Sequence, residues 1–494
     1  MKKEMKKNLF MVAAVALMAL VSCTKEEINN VGEPQEPLTP EVVEPSYYVE
    51  FTADLGADEE VVAPTPQSAA TKTTYDAANK KTKWLAGDLI SVNGKKFEIK
   101  EVLNGGLSAR FVNAEELGEN FNPPYTAIYP YNATAGQAVV PATQTVSDGT
   151  FADESVVAVG YSAEDNVLSF RHVCSVVKFT VSTAGVTELE FSSAGDIAGT
   201  VSVNANAGAD PTYSVKSGSK TITVKPASGT FSTTATYYVS VLPTLGAATV
   251  KQKLEIKTEG VVVKSGNVHF NRNKIMDAKA IEVKYTYLKP NANWLGSSAR
   301  FAAYFFEGEK NEWVDMTSVD GVYRCVVPEG YSNLLYGRMN PSSQTNGFTQ
   351  NTQIWNQTND LSVQTGTSNC YVVHIEQWSK EDGLWTSVDE AKRILYLLPQ
   401  AEWDKDNARF AAYFFGNGEK WISMTKFNTN KYYVVKPEGY PNVIFCRMNG
   451  GTSGNNWNNK WNQTKDLTIP SDKNTCTISN YWSSSGATGT WSLK

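Results

Sequence analysis

From residue 46 onward, apolar and polar positions alternate in short runs. Residues 47–51, 89–92, 173–181, 188–191, 221–224, 237–242 and 254–257 each read as a strand, with Gly, Asn and Ser turns between them. The run Arg300-Phe301-Ala302-Ala303-Tyr304-Phe305-Phe306 has the same period of two. It predicts Phe301 and Phe305 on one face of a strand, with Tyr304 and Phe306 on the other. No segment carries apolar residues at helical spacing over a helix length. The pattern predicts an all-β protein built of tandem β-sandwich domains.

Self-comparison divides the chain. Arg300 to Phe306 recurs unchanged from Arg409 to Phe415, and Arg338-Met339-Asn340 recurs as Arg447-Met448-Asn449. Pro328-Glu329-Gly330-Tyr331 returns at residues 437–440, and Trp355-Asn356-Gln357-Thr358 at 461–464. The offset shrinks from 109 to 106 residues along the copies, which places small deletions in loops. Two repeats follow, at residues 286–388 and 393–494, joined by a short segment over 386–393. Residues 46–285 form a preceding β block of two linked subdomains, with a break expected near 160–185.

The N-terminus has another character. Lys2, Lys3, Lys6 and Lys7 precede an apolar run over residues 9–21 that is too short to span a bilayer. Leu20-Val21-Ser22-Cys23 resembles a bacterial lipobox, which implies a lipoprotein signal peptide at 1–22 and lipidation of Cys23. Thr24-Lys25-Glu26-Glu27 resembles the surface-export signal of Bacteroidetes lipoproteins. The resemblance implies an outer-membrane protein held by its N-terminal lipid and facing the exterior. Residues 23–45, acidic and carrying Pro34, Pro37, Pro40 and Pro45, read as an extended tether.

Composition narrows the function classes. The net charge of −6 argues against a nucleic-acid partner, which demands a basic surface. Only three histidines occur, His172, His269 and His374, each far from a second ligand at metal spacing, so no metal site and no cofactor are expected. Beyond Cys23 the cysteines are Cys174, Cys325, Cys370, Cys446 and Cys476, an odd number from which no disulfide framework is predicted. Acids shared by both repeats are Glu309/Glu419, Glu329/Glu438 and Asp360/Asp466, all in turn-like contexts. Nothing there reads as a pair of carboxyls flanking one bond, so no catalytic residue is assigned and no enzyme is expected.

Two resemblances extend this reading. Thr71-Lys72-Thr73, Trp84-x-x-Gly87-Asp88-x-Ile90, Ala127-Ile128-Tyr129-Pro130, Pro141-Ala142-Thr143-Gln144, Phe170-Arg171-His172 and Phe270-Asn271-Arg272-Asn273-Lys274 together resemble fimbrillin-type domains of Bacteroidetes. That likeness implies two transthyretin-like subdomains and kinship with surface adhesins. Pilins of this kind are matured by cleavage after an N-terminal arginine, whereas the first arginine here is Arg110, so polymerisation is not implied. Each repeat is similar to starch-binding carbohydrate-binding modules of family 26, through Asn293-Trp294, the Ala-Tyr-Phe-Phe strand, Trp313 and the Trp-Asn-Gln-Thr-x-Asp-Leu segment. This implies two Ig-like carbohydrate-module sandwiches.

Eleven of the twelve tryptophans fall in the repeats. Aromatic faces pack on the C–H faces of sugars, while amides and guanidinium groups meet the hydroxyl rims. The candidate carbohydrate-binding residues are Tyr304, Phe306, Trp313, Arg338, Asn340 and Gln357, with Tyr413, Phe415, Trp421, Arg447, Asn449 and Gln463. Trp355 and Trp461 are further candidates, though Trp-Asn-Gln-Thr reads equally well as a turn lock. Trp378/Trp482 and Trp385/Trp491 read as packing. The expected function is non-catalytic binding of polysaccharide, a starch-like α-glucan by the second resemblance. The alternative is a fimbrial or adhesin tip component recognising a host protein or glycan.

Overall fold

The computed structural model describes residues 49–55, 74–76, 81–118, 120–205, 209–364, 366–374, 383–428, 430–479 and 486–493. Cys23, the tether, Thr71-Lys72-Thr73, Trp378 and Trp482 lie outside the described residues. The described chain is all-β, with tandem sheets packed face to face and only two short α-helices, Ala292–Leu295 and Val388–Lys392.

The first sheet closes on itself. Seven strands run in the order Glu50–Leu55, Val167–His172, Ala158–Ser162, Tyr125–Tyr129, Leu89–Val92, Lys95–Leu103 and Ser108–Asn113, and the last pairs back with the first. Closure depends on the parallel pairing of Glu50–Leu55 with Val167–His172. Trp84 fills the interior, edge-on to Phe111, Tyr129 and Phe170 at 5.0–5.3 Å. This explains Trp84-x-x-Gly87-Asp88-x-Ile90 residue by residue. Gly87 turns the chain at φ +93°, and the buried Asp88 accepts from the Leu85 backbone N–H and the Tyr129 hydroxyl, while Ile90 joins the core.

Two early strands belong with later sheets. Gln137–Val140 pairs with Ala198–Asn204, and Thr143–Val146 runs parallel to Thr221–Pro226. Within the second, buried Gln144 clamps the Thr236–Val241 strand, donating to Ser240 O at 2.7 Å and accepting from Ser240 N at 3.0 Å. Arg272 donates to His172 O at 2.8 Å and pairs with Asp210, which also pairs with Arg171. The tags Pro-Ala-Thr-Gln, Phe-Arg-His and Phe-Asn-Arg-Asn-Lys are thus positions of core and cross-sheet hydrogen bonding.

Each repeat is a two-sheet sandwich. In the first, Thr317–Val319, Val322–Val326, Tyr285–Lys289, Cys370–Val373 and Gly383–Thr386 form one sheet. The other runs Lys310–Asp315, Arg300–Glu307, Asn333–Met339 and Ile354–Gln357, with Leu361–Ser362 also on Asn333–Met339. The second repeat matches it strand for strand, with Glu419–Ser423, Arg409–Phe415, Asn442–Met448 and Lys460–Gln463 as the corresponding row. Phe301, Phe305, Phe410 and Phe414 are buried between the sheets, as the period of two predicts.

The segment joining the repeats is ordered. Ser387 and Glu390 form a capping box on Val388–Lys392, and Ala391 is buried with Val322, Cys370, Val372, Ile394 and Tyr396. Lys392 pairs with Asp320, and Arg393 donates to Lys436 O at 2.6 Å. A shared apolar layer and a capped helical turn therefore hold one repeat against the other.

Candidate functional site

The site builds on the outer face of the Arg300–Glu307 sheet. Strand alternation turns Tyr304 and Phe306 outward, and the register sets Tyr304 directly opposite Trp313. Their ring centres lie 5.0 Å apart, and Tyr304 stacks on Phe306 at 5.8 Å. Beneath them Ala302, Met339 and Ile354 make an apolar floor. Gly337 completes it: a Cβ there would meet Met339 Sδ at 2.7 Å and Trp313 Cζ3 at 3.3 Å, so the indole lies against bare backbone.

The second repeat reproduces this arrangement. Tyr413 faces Trp421 at 5.0 Å and stacks on Phe415 at 5.9 Å, over a floor of Ala411, Ile444, Cys446 and Met448. Tyr413 is the more enclosed of the two tyrosines, at 8 % exposure. Burial, then the neighbouring Glu419 carboxylate, pushes its phenol pKa upward.

A third ring completes each cluster, and sequence reasoning missed it. Phe348 stands 4.9 Å from Tyr304 and 5.0 Å from Trp313; Trp457 stands 4.7 Å from Tyr413 and 4.8 Å from Trp421. These are the exposed rings, Phe348 at 47 % and Trp457 at 44 %. Phe348 comes from a loop and Trp457 from a single 3-10 turn, Trp457–Asn459, and both lie between strands where no periodicity exists to flag them. One signal was present: Phe348 and Trp457 share the offset of 109, as do Asn346 and Asn455 two residues before them. Those asparagines receive hydrogen bonds from Arg300 and Arg409, the first residues of the repeated strand. Arg300 also donates to Thr345 O, and Arg409 to Thr452 O and Gly454 O at 2.6 Å each. The repeated arginine therefore ties down the loop that carries the third ring.

Four of the candidate contacts are engaged in holding the fold. Arg338 and Arg447 point to the opposite strand face from the clusters, at 5 % and 6 % exposure. Arg338 donates to Trp294 O at 2.8 Å and Gly296 O at 2.7 Å; Arg447 donates to Trp403 O at 2.7 Å and Lys405 O at 2.8 Å. Each guanidinium also stacks on a tryptophan, Trp355 at 4.7 Å or Trp461 at 4.6 Å. A buried fork with those acceptors is a structural clamp, not a free donor. Asn340 and Asn449 close turns, accepting from Ser342 N and Gly451 N at 2.9 Å.

Gln357 and Gln463 do reach the outer face, opposite Gly337 and Cys446 respectively. The Thr of Trp-Asn-Gln-Thr is a lock: Thr358 and Thr464 accept from Tyr336 N and Phe445 N at 3.0 Å. Trp385 packs on Tyr371 at 5.2 Å and Trp491 on Phe445 at 6.1 Å. The five cysteines are buried free thiols, and desolvation pushes Cys174, Cys370, Cys446 and Cys476 up to about 12. Among the described residues no group of three His, Cys, Asp or Glu side chains is placed to hold a metal ion, and no helix is long and apolar enough to cross a membrane. The shared acids do not converge on the rings as a pair: Glu329 accepts from Ser265 at 2.7 Å, and Glu309 is exposed. What the clusters offer is apolar ring surface with a phenol and an amide at its edge.

No protein-family model matches the chain, and no curated protein matches it. Among solved structures, a Bacteroides uniformis protein described as a candidate cell adhesion protein is similar at 16 % identity, over 40 % of this chain and 88 % of its own, with a TM-score of 0.26. A fimbrial assembly protein from Parabacteroides distasonis is similar at 12 % identity over 57 % of this chain and 99 % of its own, TM-score 0.25. Alpha-glucan-recognising family 41 carbohydrate-binding modules from streptococcal virulence factors are similar at 12 % identity over 39 % of this chain and 92 % of theirs, TM-score 0.15. With superpositions this partial, the fold assignment rests on the strands themselves.

Proposed function

We propose that the protein is a non-catalytic, cell-surface polysaccharide-binding protein whose two C-terminal repeats each hold sugar rings on an outward aromatic cluster, with a starch-like α-glucan as ligand. One observation carries the reading. The same cluster, Tyr304–Trp313–Phe348 and Tyr413–Trp421–Trp457, stands on the same sheet face of both repeats. Its loop ring is about half exposed in each copy. Rings that serve only as core are not displayed this way twice, each held by an arginine-anchored loop. The β block before the repeats serves as the stalk, and Cys23 as the lipid attachment on the outer membrane.

The test is a titration of the full chain with amylopectin, a short malto-oligosaccharide and unrelated polysaccharides. A shallow aromatic platform supports about −4 to −6 kcal/mol, roughly millimolar to tens of micromolar. Two sites on one chain make a long polymer bind more tightly than a short oligomer. Absence of binding to every glycan contradicts the reading and leaves the adhesin alternative in its place. The anchor is tested separately: Cys23→Ser releases the protein from the membrane fraction, and unchanged detergent partitioning contradicts it.

A further inference from the structure

The two aromatic clusters differ in what flanks them. Lys460 pairs in register with Met448, whereas the corresponding partner of Met339 is Ile354. The Lys460 amine donates to the Gln463 side-chain oxygen and lies 5.1 Å from the centre of the Trp457 ring. Among the described residues it forms no ion pair, and the Trp457 contact places it beside the cluster. At the other end of the sheet Glu419 pairs with Phe415, where the first repeat sets Asn311 against Phe306; Glu309, matched to Glu419 in sequence, lies instead in the turn before its strand. Met448 pairs with Arg409, so the two charges stand at opposite ends of the Arg409–Phe415 strand, about 20 Å apart along it. In the first repeat Arg300 and Asp315 satisfy each other at 2.9 Å, and Glu312 pairs in register with the buried Phe305.

We propose that the second repeat selects the sugar: Lys460 as donor and Glu419 as acceptor read the hydroxyls of a neutral glycan lying along the Arg409–Phe415 strand, while the first repeat holds the same chain by ring stacking. This rests on the reading of the clusters as sugar platforms. A glycan that covers either group without offering it a hydroxyl takes water from a charge and leaves it only its protein partner, Gln463 for Lys460 and Tyr413 for Glu419, which costs more than a missing apolar contact. Stacking is indifferent to hydroxyl stereochemistry by comparison. The ligand is neutral because an acidic chain meets Glu419 and a basic one meets Lys460.

The experiment uses the full chain and a panel of amylose, dextran, xylan and polygalacturonate. Lys460→Ile with Glu419→Asn gives the second cluster the residues of the first, and both side chains are accessible enough for the fold to survive. The ratio of affinities between the best and the other neutral glycans is expected to fall at least fivefold, with the melting temperature unchanged. The reverse pair, Ile354→Lys with Asn311→Glu, is expected to keep or raise that ratio. An unchanged ratio in the first variant overturns the proposal, as does a preference for polygalacturonate that Lys460→Ile removes. If Trp421→Ala weakens binding while Lys460→Ile with Glu419→Asn does not alter selectivity, this inference alone falls. If the unmodified chain holds no member of the panel, the platform reading falls with it.

Discussion

Trp421 and Trp457 stand with ring centres 4.8 Å apart and planes inclined at 70°, although one comes from a strand and the other from a short 3-10 turn between strands. Trp313 and Phe348 repeat the relationship at 5.0 Å and 52°. A strand ring is positioned by backbone register, while a loop ring depends on whatever holds its loop. Each cluster therefore combines a fixed wall with one set by an arginine.

Removing the loop ring separates affinity from stability. Trp457 and Phe348 are well exposed, so Trp457→Ala and Phe348→Ala should each change folding stability by no more than about 1 kcal/mol. Each should weaken its own site about tenfold, or 1.4 kcal/mol. Calorimetric titration with polysaccharide, alongside thermal unfolding, checks both numbers.

The loop anchor predicts a second effect without touching an aromatic. Arg409→Ala removes the donors to Thr452, Gly454 and Asn455. It should weaken polysaccharide binding by the same factor as Trp457→Ala and speed hydrogen exchange over residues 450–456. Arg409→Lys should not restore it, because an ammonium cannot span acceptors arranged for a planar fork. Normal exchange in a weakly binding variant would mean that the arginine acts by another route.

How far these features could be read from the sequence depended on the kind of signal each left. The repeated strand announced its own two faces, and the buried Phe301 and outward Tyr304 follow from alternation. The same logic, carried from Gly337 on the outer face to Arg338, assigns the arginine to the inner side. A guanidinium's aptitude for sugar hydroxyls points the other way, and for Arg338 and Arg447 the strand geometry is the better guide. Phe348 and Trp457 lie where no period exists, and only the common offset marks them. Barrel closure between Glu50–Leu55 and Val167–His172 is a pairing across more than a hundred residues, with no local trace. The partnership of Gln137–Val140 with Ala198–Asn204 is hidden for the same reason.

The junction between repeats should be sensitive to acid. His374 is buried, edge-on to Phe427 at 3.7 Å and near Tyr396 and Tyr433, and among the described residues neither ring nitrogen has a hydrogen-bond partner. Lys431, whose amine lies 4.1 Å from the Tyr396 ring, is the cation facing it. Burial, then Lys431, lowers the imidazole pKa from 6.5 to about 3. The folded state therefore excludes a proton that the unfolded chain accepts below pH 6.5. Stability is full above that pH and declines as the pH drops toward 3, by about 2 kcal/mol at pH 5. Denaturant titrations at pH 7.5 and 5 should show the loss in the unmodified chain and a smaller one in His374→Phe.

The central claim is that the outward rings hold polysaccharide, and one variant addresses it directly. Trp313→Ala, Phe348→Ala, Trp421→Ala and Trp457→Ala combined remove the strand tryptophan and the exposed ring from each repeat and leave Tyr304, Phe306, Tyr413 and Phe415 in place. The account predicts a chain that unfolds cooperatively, within a few degrees of the unmodified protein, and has lost polysaccharide binding. Retention of full affinity by that folded variant would contradict it.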